Sequence, residues 1–171
     1  MPAYVALLRA VNVGGTGKLP MAELKAICAA EGFADIQTYI ASGNVVFGAK
    51  PKAAKIKAAL EKRLEAYAGK PVGVIIRTQA EMAAVLKANP LPDAAANRTV
   101  AIFLDAAPPA DALDKLRGRR DEEVQLGRRE IYVHYGAGMG TSKLKIPAAE
   151  KGTARNMNTV AKLAALAAAI P

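Results

Sequence analysis

The sequence predicts an α+β fold of two lobes with antiparallel sheets. Three observations carry this. Short β-rich runs and helix-period stripes follow one another in the order β-α-β-β-α-β through the first half. A proline-rich break, Asn89-Pro90-Leu91-Pro92, interrupts the chain near its middle. After it comes a second series of short runs of the same kind. The lobes are expected at 1–90 and 91–171, the second being the smaller and ending in a helix.

Tyr4 to Val11 is an apolar run closed by Asn12-Val13-Gly14-Gly15-Thr16-Gly17, so it reads as a buried strand and a glycine-rich loop. Pro20 suits a helix start, and Met21, Leu24, Ile27 and Cys28 share one helical face. Gly32 followed by Phe33 has the form of a left-handed helix cap with its apolar follower. Ile36–Ile40 and Asn44–Phe47 are short strands around the turn Ala41-Ser42-Gly43. Pro51 opens a second helix with its stripe at Ile56, Leu60, Leu64 and Tyr67, and Val72–Arg77 is a further strand. This is the ferredoxin-like split arrangement, with expected strand order 4-1-3-2 and both helices on one face. Thr78-Gln79-Ala80-Glu81 is a capping box before Met82, Val85 and Leu86.

In the second half, Thr99–Leu104 is a strand, and Pro108-Pro109 leads to a short helix with Leu113 and Leu116. Glu123–Leu126 and Glu130–Tyr135 form a hairpin around Gly127. Gly136-Ala137-Gly138-Met139-Gly140 opens a helical turn at Thr141–Leu144, and a last helix runs from about Met157 to Ala169. The order is β-α-β-β-α, an incomplete echo of the first lobe.

A chain of 171 residues needs no metal or disulfide to hold a core. The single cysteine, Cys28, fits a reducing compartment and reads as buried and inert. The N-terminus lacks the basic region of a signal peptide, and no apolar run reaches the ~18 residues of a membrane span. A soluble, cytoplasmic protein with no membrane partner is expected. The net charge is +9, and Lys115–Lys162 holds 11 basic against 5 acidic residues. A field of this sign attracts nucleic acids and phosphorylated ligands, although a solvated lysine-rich surface would give the same count.

Three stretches bear on chemistry. Asn12–Lys18 joins a strand to a helix, where backbone N–H groups favour anions. It departs from the nucleotide-hydrolase loop by Asn12 where Gly is needed and by Leu19 where a hydroxyl is needed. Gly136–Lys143 has the same placement, with Lys145, Lys151 and Arg155 following. Lys151–Thr159 offers Asn156 and Asn158 as helix caps or phosphate ligands. His134 has no evident partner, no cluster has zinc or calcium spacing, and no cofactor motif is found, so neither metal nor cofactor is expected.

Ala6-Leu7-Leu8-Arg9-Ala10-Val11-Asn12-Val13-Gly14-Gly15, then Thr38-Tyr39-Ile40-Ala41-Ser42-Gly43-Asn44-Val45-Val46-Phe47, then Ser142-Lys143-Leu144 with Gly152–Val160 together resemble the bacterial domain-of-unknown-function family 1697. Met157 stands where an aromatic is expected of that family. The resemblance implies two ferredoxin-like lobes and carries no catalytic residue. The polar members of these motifs, Arg9, Asn12, Ser42, Asn44, Lys143, Arg155, Asn156 and Asn158, with Lys18, form the candidate ligand set. They are expected to line a basic cleft between the lobes that binds a nucleotide or nucleic acid, with Lys143 and Arg155 exposed. Two other readings stay open: an enzyme acting on a small anionic substrate, and an interaction module with no ligand.

Overall fold

The computed structural model describes residues 1–11, 18–136 and 138–171. The glycine-rich loop Asn12–Gly17 and Ala137, both named above, lie outside the described residues. The chain divides into two compact units, Met1–Ala83 with Lys162–Pro171, and Ala84–Ala161.

In the first unit the order is β1 (Ala3–Leu8), α1 (Met21–Ala30), β2 (Ala34–Thr38), β3 (Asn44–Gly48), α2 (Ala53–Ala68) and β4 (Val74–Thr78). The sheet runs β2-β3-β1-β4, antiparallel throughout, as expected from the split β-α-β-β-α-β order. The central strand β1 pairs Ala6 with Val45 on one side and with Ile76 on the other. Its alternate residues Tyr4, Ala6 and Leu8 face Leu24, Ile27 and Cys28 of α1 and Ile56, Leu60 and Leu64 of α2 in one core. Both helices therefore lie on one side of the sheet. Phe33 stacks on Phe47 with ring centroids 4.4 Å apart. The opposite face, Val5, Leu7, Val46 and Ile75, is buried as well, so β1 reads as a continuous apolar run rather than an alternating one.

The end of α1 is the cap the sequence implies. Gly32 is left-handed, its N–H bonds to the Ala29 carbonyl, and the Phe33 N–H reaches the Cys28 carbonyl. The start of α3 (Gln79–Lys87) is the predicted capping box, with Glu81 N–H donating to Thr78 Oγ1 and Thr78 N–H to Glu81 Oε1.

The second unit holds β5 (Thr99–Phe103), β6 (Glu123–Leu126), β7 (Glu130–His134) and β8 (Thr153–Asn156), and α4 (Met157–Ala168) begins in it. Its sheet runs β6-β7-β5-β8, the order of the first sheet repeated. The sequence reading missed β8, which pairs Thr153 with Phe103 and Asn156 with Val100. In that strand Thr153 and Arg155 face inward and Ala154 faces out, the reverse of the polarity that marks a strand. The two helices expected before β6 and after β7 are corrected to 3₁₀ turns, Ala112–Lys115 and Met139–Thr141. Only eight residues separate Pro109 from Gly118, too few to offset helix nucleation. The cover over Val100, Ile102, Val124, Ile131 and Val133 comes instead from Leu116, Leu144, Ile146, Ala148 and Ala149 on irregular chain. Among the described residues no helix is long and apolar enough to cross a membrane.

Candidate functional site

The irregular cover of the second sheet is built around one short crossing. Arg117 and Lys145 sit opposite one another in an antiparallel bridge, with N···O distances of 3.1 and 2.8 Å. Gly118 follows with φ +68°, and a Cβ there would fall 2.2 Å from the Lys143 carbonyl oxygen. Only glycine fits both the dihedral and the approach. The crossing thus brings the 117–120 segment against the 143–145 segment, and Arg117, Lys143 and Lys145 are all exposed.

Glu122, bonded to Ser142 next to Lys143, is spent on holding the chain. Ser142 donates its hydroxyl to Glu122 Oε2 and accepts the Leu144 N–H at 3.2 Å. The Arg120 N–H donates to Glu122 Oε1 at 2.6 Å. The Glu122 residue is only 3% exposed, and the Ser142 hydrogen bond, followed by the Arg120 amide, holds its carboxyl below the ordinary glutamate value. Burial, and then the Glu122 charge, push the Tyr135 phenol up. Among the described residues no carboxylate lies within ion-pair distance of Arg117, Lys143 or Lys145. Beside the bridge opens a pocket of about 440 Å³ lined by Arg117, Lys145, Ile146, Pro147 and Glu150.

The residues singled out from the sequence fall into separate settings. Ser42 and Asn44 meet: the Asn44 carboxamide, 0% exposed, donates to the Ser42 hydroxyl and to the Tyr39 carbonyl, both at 2.9 Å. They brace a turn that holds Ile40 at φ +50°, an unfavourable conformation for a β-branched residue. Gly43 beside them has φ +89° and lies so close to Val11 and Leu8 that no Cβ fits. Arg9 is exposed, with its N–H on the Gly73 carbonyl. Lys18 lines a small apolar crevice with Val11, Leu19, Leu64, Tyr67 and Lys70. Asn12 lies outside the described residues.

In the second unit Lys143 stands at the bridge. Arg155 does not: it is 6% exposed, correcting the expectation of an exposed side chain, and its Nη1 donates to Thr153 Oγ1 at 2.6 Å and to the Ala154 carbonyl at 2.9 Å. Burial pulls its pKa down to about 10. Asn156 is the helix cap, its Oδ1 accepting the Thr159 N–H at 2.9 Å, while Asn158 is exposed. His134, expected to lack a partner, has Nδ1 3.2 Å from Thr99 Oγ1. The sequence reading missed Arg117, Glu122 and Glu150. The run Leu116-Arg117-Gly118-Arg119-Arg120, three arginines around one glycine, was the available signal.

The family model described as a protein of unknown function, DUF1697, matches residues 1–132. The chain belongs to this family. The match spans the first sheet and runs into β7, so the DUF1697 signature stops short of the Ser142-Lys143-Leu144 motif. In fold, this DUF1697 protein is similar to the conserved bacterial protein SP0830 from Streptococcus pneumoniae. The TM-score is 0.81 and the identity 23%, over 97% of this chain and 98% of the other. No curated protein matches the chain.

Proposed function

We propose that the protein binds a phosphate-bearing ligand on the loop-covered face of its second unit, through Arg117, Lys143 and Lys145. The observation that carries this is the bridge itself. Two cations are held directly across from each other, an arrangement that costs stability when nothing lies between them, and the nearby Glu122 carboxylate is hydrogen-bonded to Ser142 and the Arg120 amide instead. A phosphate between them would remove the repulsion and accept charge-assisted hydrogen bonds from both, the guanidinium offering a two-pronged fork. Lys143 belongs to the ligand set expected from the sequence; Arg117 and Lys145 extend that set.

A thermal-shift and calorimetric screen against pyrophosphate, nucleotides and short RNA and DNA tests the reading. A ligand that binds only the folded state raises stability by about 2.7 kcal/mol at 100 times Kd. The double variant Arg117→Ala/Lys145→Ala should lose at least about tenfold in affinity for whichever anion binds, the scale of one hydrogen bond to a charged group. Equal affinity in parent and variant would refute the reading. A nucleic acid neutralising several phosphates would show a steep salt dependence, about 0.9 in log K per log salt for each duplex phosphate, and a small ligand a shallow one.

A further inference from the structure

We infer that the ligand is a small organic phosphate carrying a hydroxyl or amino donor, such as a nucleotide or sugar phosphate, and that Glu150 is the residue that selects it. This rests on the phosphate-binding reading above and narrows its ligand class. The pocket beside the bridge carries three chemistries. Arg117 and Lys145 supply positive charge. Ile146 and Pro147 supply apolar wall. Glu150, exposed at the end of the 3₁₀ turn Pro147–Ala149, supplies a carboxylate.

A site for bare phosphate or pyrophosphate has no use for that last group. An ionised carboxylate only accepts hydrogen bonds, so it repels phosphate oxygens and favours a ligand that brings a donor. Carboxylates take ribose hydroxyls in this way in dinucleotide-binding folds. The apolar part of the lining, Ile146 and Pro147, suits the ring of a sugar or base, not a chain of phosphates. A volume of about 440 Å³ lies within the ordinary range for small-ligand sites.

The two ligand classes respond to Glu150→Gln with opposite signs. Calorimetric titrations of parent and E150Q with pyrophosphate, a ribonucleoside monophosphate, its 2′,3′-dideoxy analogue and a hexose phosphate provide the readout. The expected result is that E150Q weakens the ribonucleotide or the hexose phosphate by about tenfold, the loss of one hydrogen bond to a charged group, while pyrophosphate binds as well or better. Which of the two organic phosphates responds, and whether the dideoxy analogue is already weak with the parent, separates ribose from hexose recognition. If E150Q strengthens every ligand, Glu150 only repels anions and the inference falls, while the phosphate-binding reading stands. If pyrophosphate binds the parent as tightly as either organic phosphate, the inference also falls. If Arg117→Ala/Lys145→Ala leaves pyrophosphate binding untouched, the site reading itself falls. Glu150 is exposed, so a matching melting temperature for E150Q confirms that the comparison is between folded proteins.

Discussion

In the first unit α1 and α2 lay apolar stripes on Tyr4, Ala6 and Leu8 and satisfy their own backbone while doing so. In the second unit the corresponding face is closed by Leu116, Leu144 and Ile146 on chain that is mostly irregular. The strand order is the same in both sheets. What differs is how the cover meets its hydrogen-bonding needs. A helix does so internally, whereas an irregular segment must find a partner for each group one at a time. The Arg117–Lys145 bridge, the Ser142 hydroxyl and the Glu122 carboxylate are those partners. With the Glu122 carboxylate committed to holding the chain, Arg117, Lys143 and Lys145 have no carboxylate within ion-pair distance among the described residues. The irregular cover is where we propose that an anion binds, in keeping with function gathering on loops held by a rigid frame.

The sharpest way to break this comparison is at glycine. Gly118→Ala should destabilise the protein by about 3 kcal/mol or more, combining a left-handed dihedral with a clash against the Lys143 carbonyl. Gly32→Ala in the first unit, also left-handed but with nothing within 4 Å, should cost only about 1–2 kcal/mol. Urea unfolding of both variants measures the difference, and equal losses would mean that the crossing at Gly118 does not hold the cover in place.

Next in size is the cover itself. Leu60→Ala on α2 removes a fully buried side chain and should cost about 2–5 kcal/mol. Leu144→Ala, half-buried on the loop cover, should cost less than half of that. A Leu144 variant as damaging as the Leu60 variant would show that the irregular cover packs as tightly as a helix.

A smaller effect should appear in the acid limb of stability. The folded-state pKa of Glu122 is lowered, so its contribution is complete above the ordinary glutamate value of 4.5 and is lost as pH falls through and below it. Glu122→Gln should flatten that part of the stability–pH curve and leave the neutral region's slope unchanged. A curve of unaltered shape would remove Glu122 from its bracing role. The smallest effect concerns Cys28, buried in the first core with burial raising its pKa to about 12. Its labelling in the native protein should be slow and pH-insensitive up to pH 9, becoming fast only in denaturant.

The first sheet was legible because its signals are local and agree with one another. The helical stripes, the Gly32-Phe33 cap and the Thr78–Glu81 box appear in the structure as the sequence implies, except that Tyr67, expected at the end of the α2 stripe, is exposed one turn beyond Leu64. The second was half legible. Strand β8 turns Arg155 inward, and periodicity cannot anticipate a buried guanidinium satisfied by Thr153 and the Ala154 carbonyl. The site was less legible still. Lys143 could be picked out by its basic surroundings, but the residue whose backbone meets it across the crossing is Gly118, 25 positions earlier, and only the fold brings the two segments together. Ser42 and Asn44 stood out as polar residues beside strands, and the structure gives them a local task, bracing the turn at Tyr39–Gly43.

The measurement that tests the central claim most directly is an amide-resolved NMR titration of the full chain with pyrophosphate. The account predicts saturable shifts concentrated at Arg117, Gly118, Lys143 and Lys145, with the β1–β3 and α2 amides unmoved, and their disappearance in Arg117→Ala/Lys145→Ala. Shifts centred instead on Arg9 and Lys18, or none at all up to millimolar pyrophosphate, would contradict it.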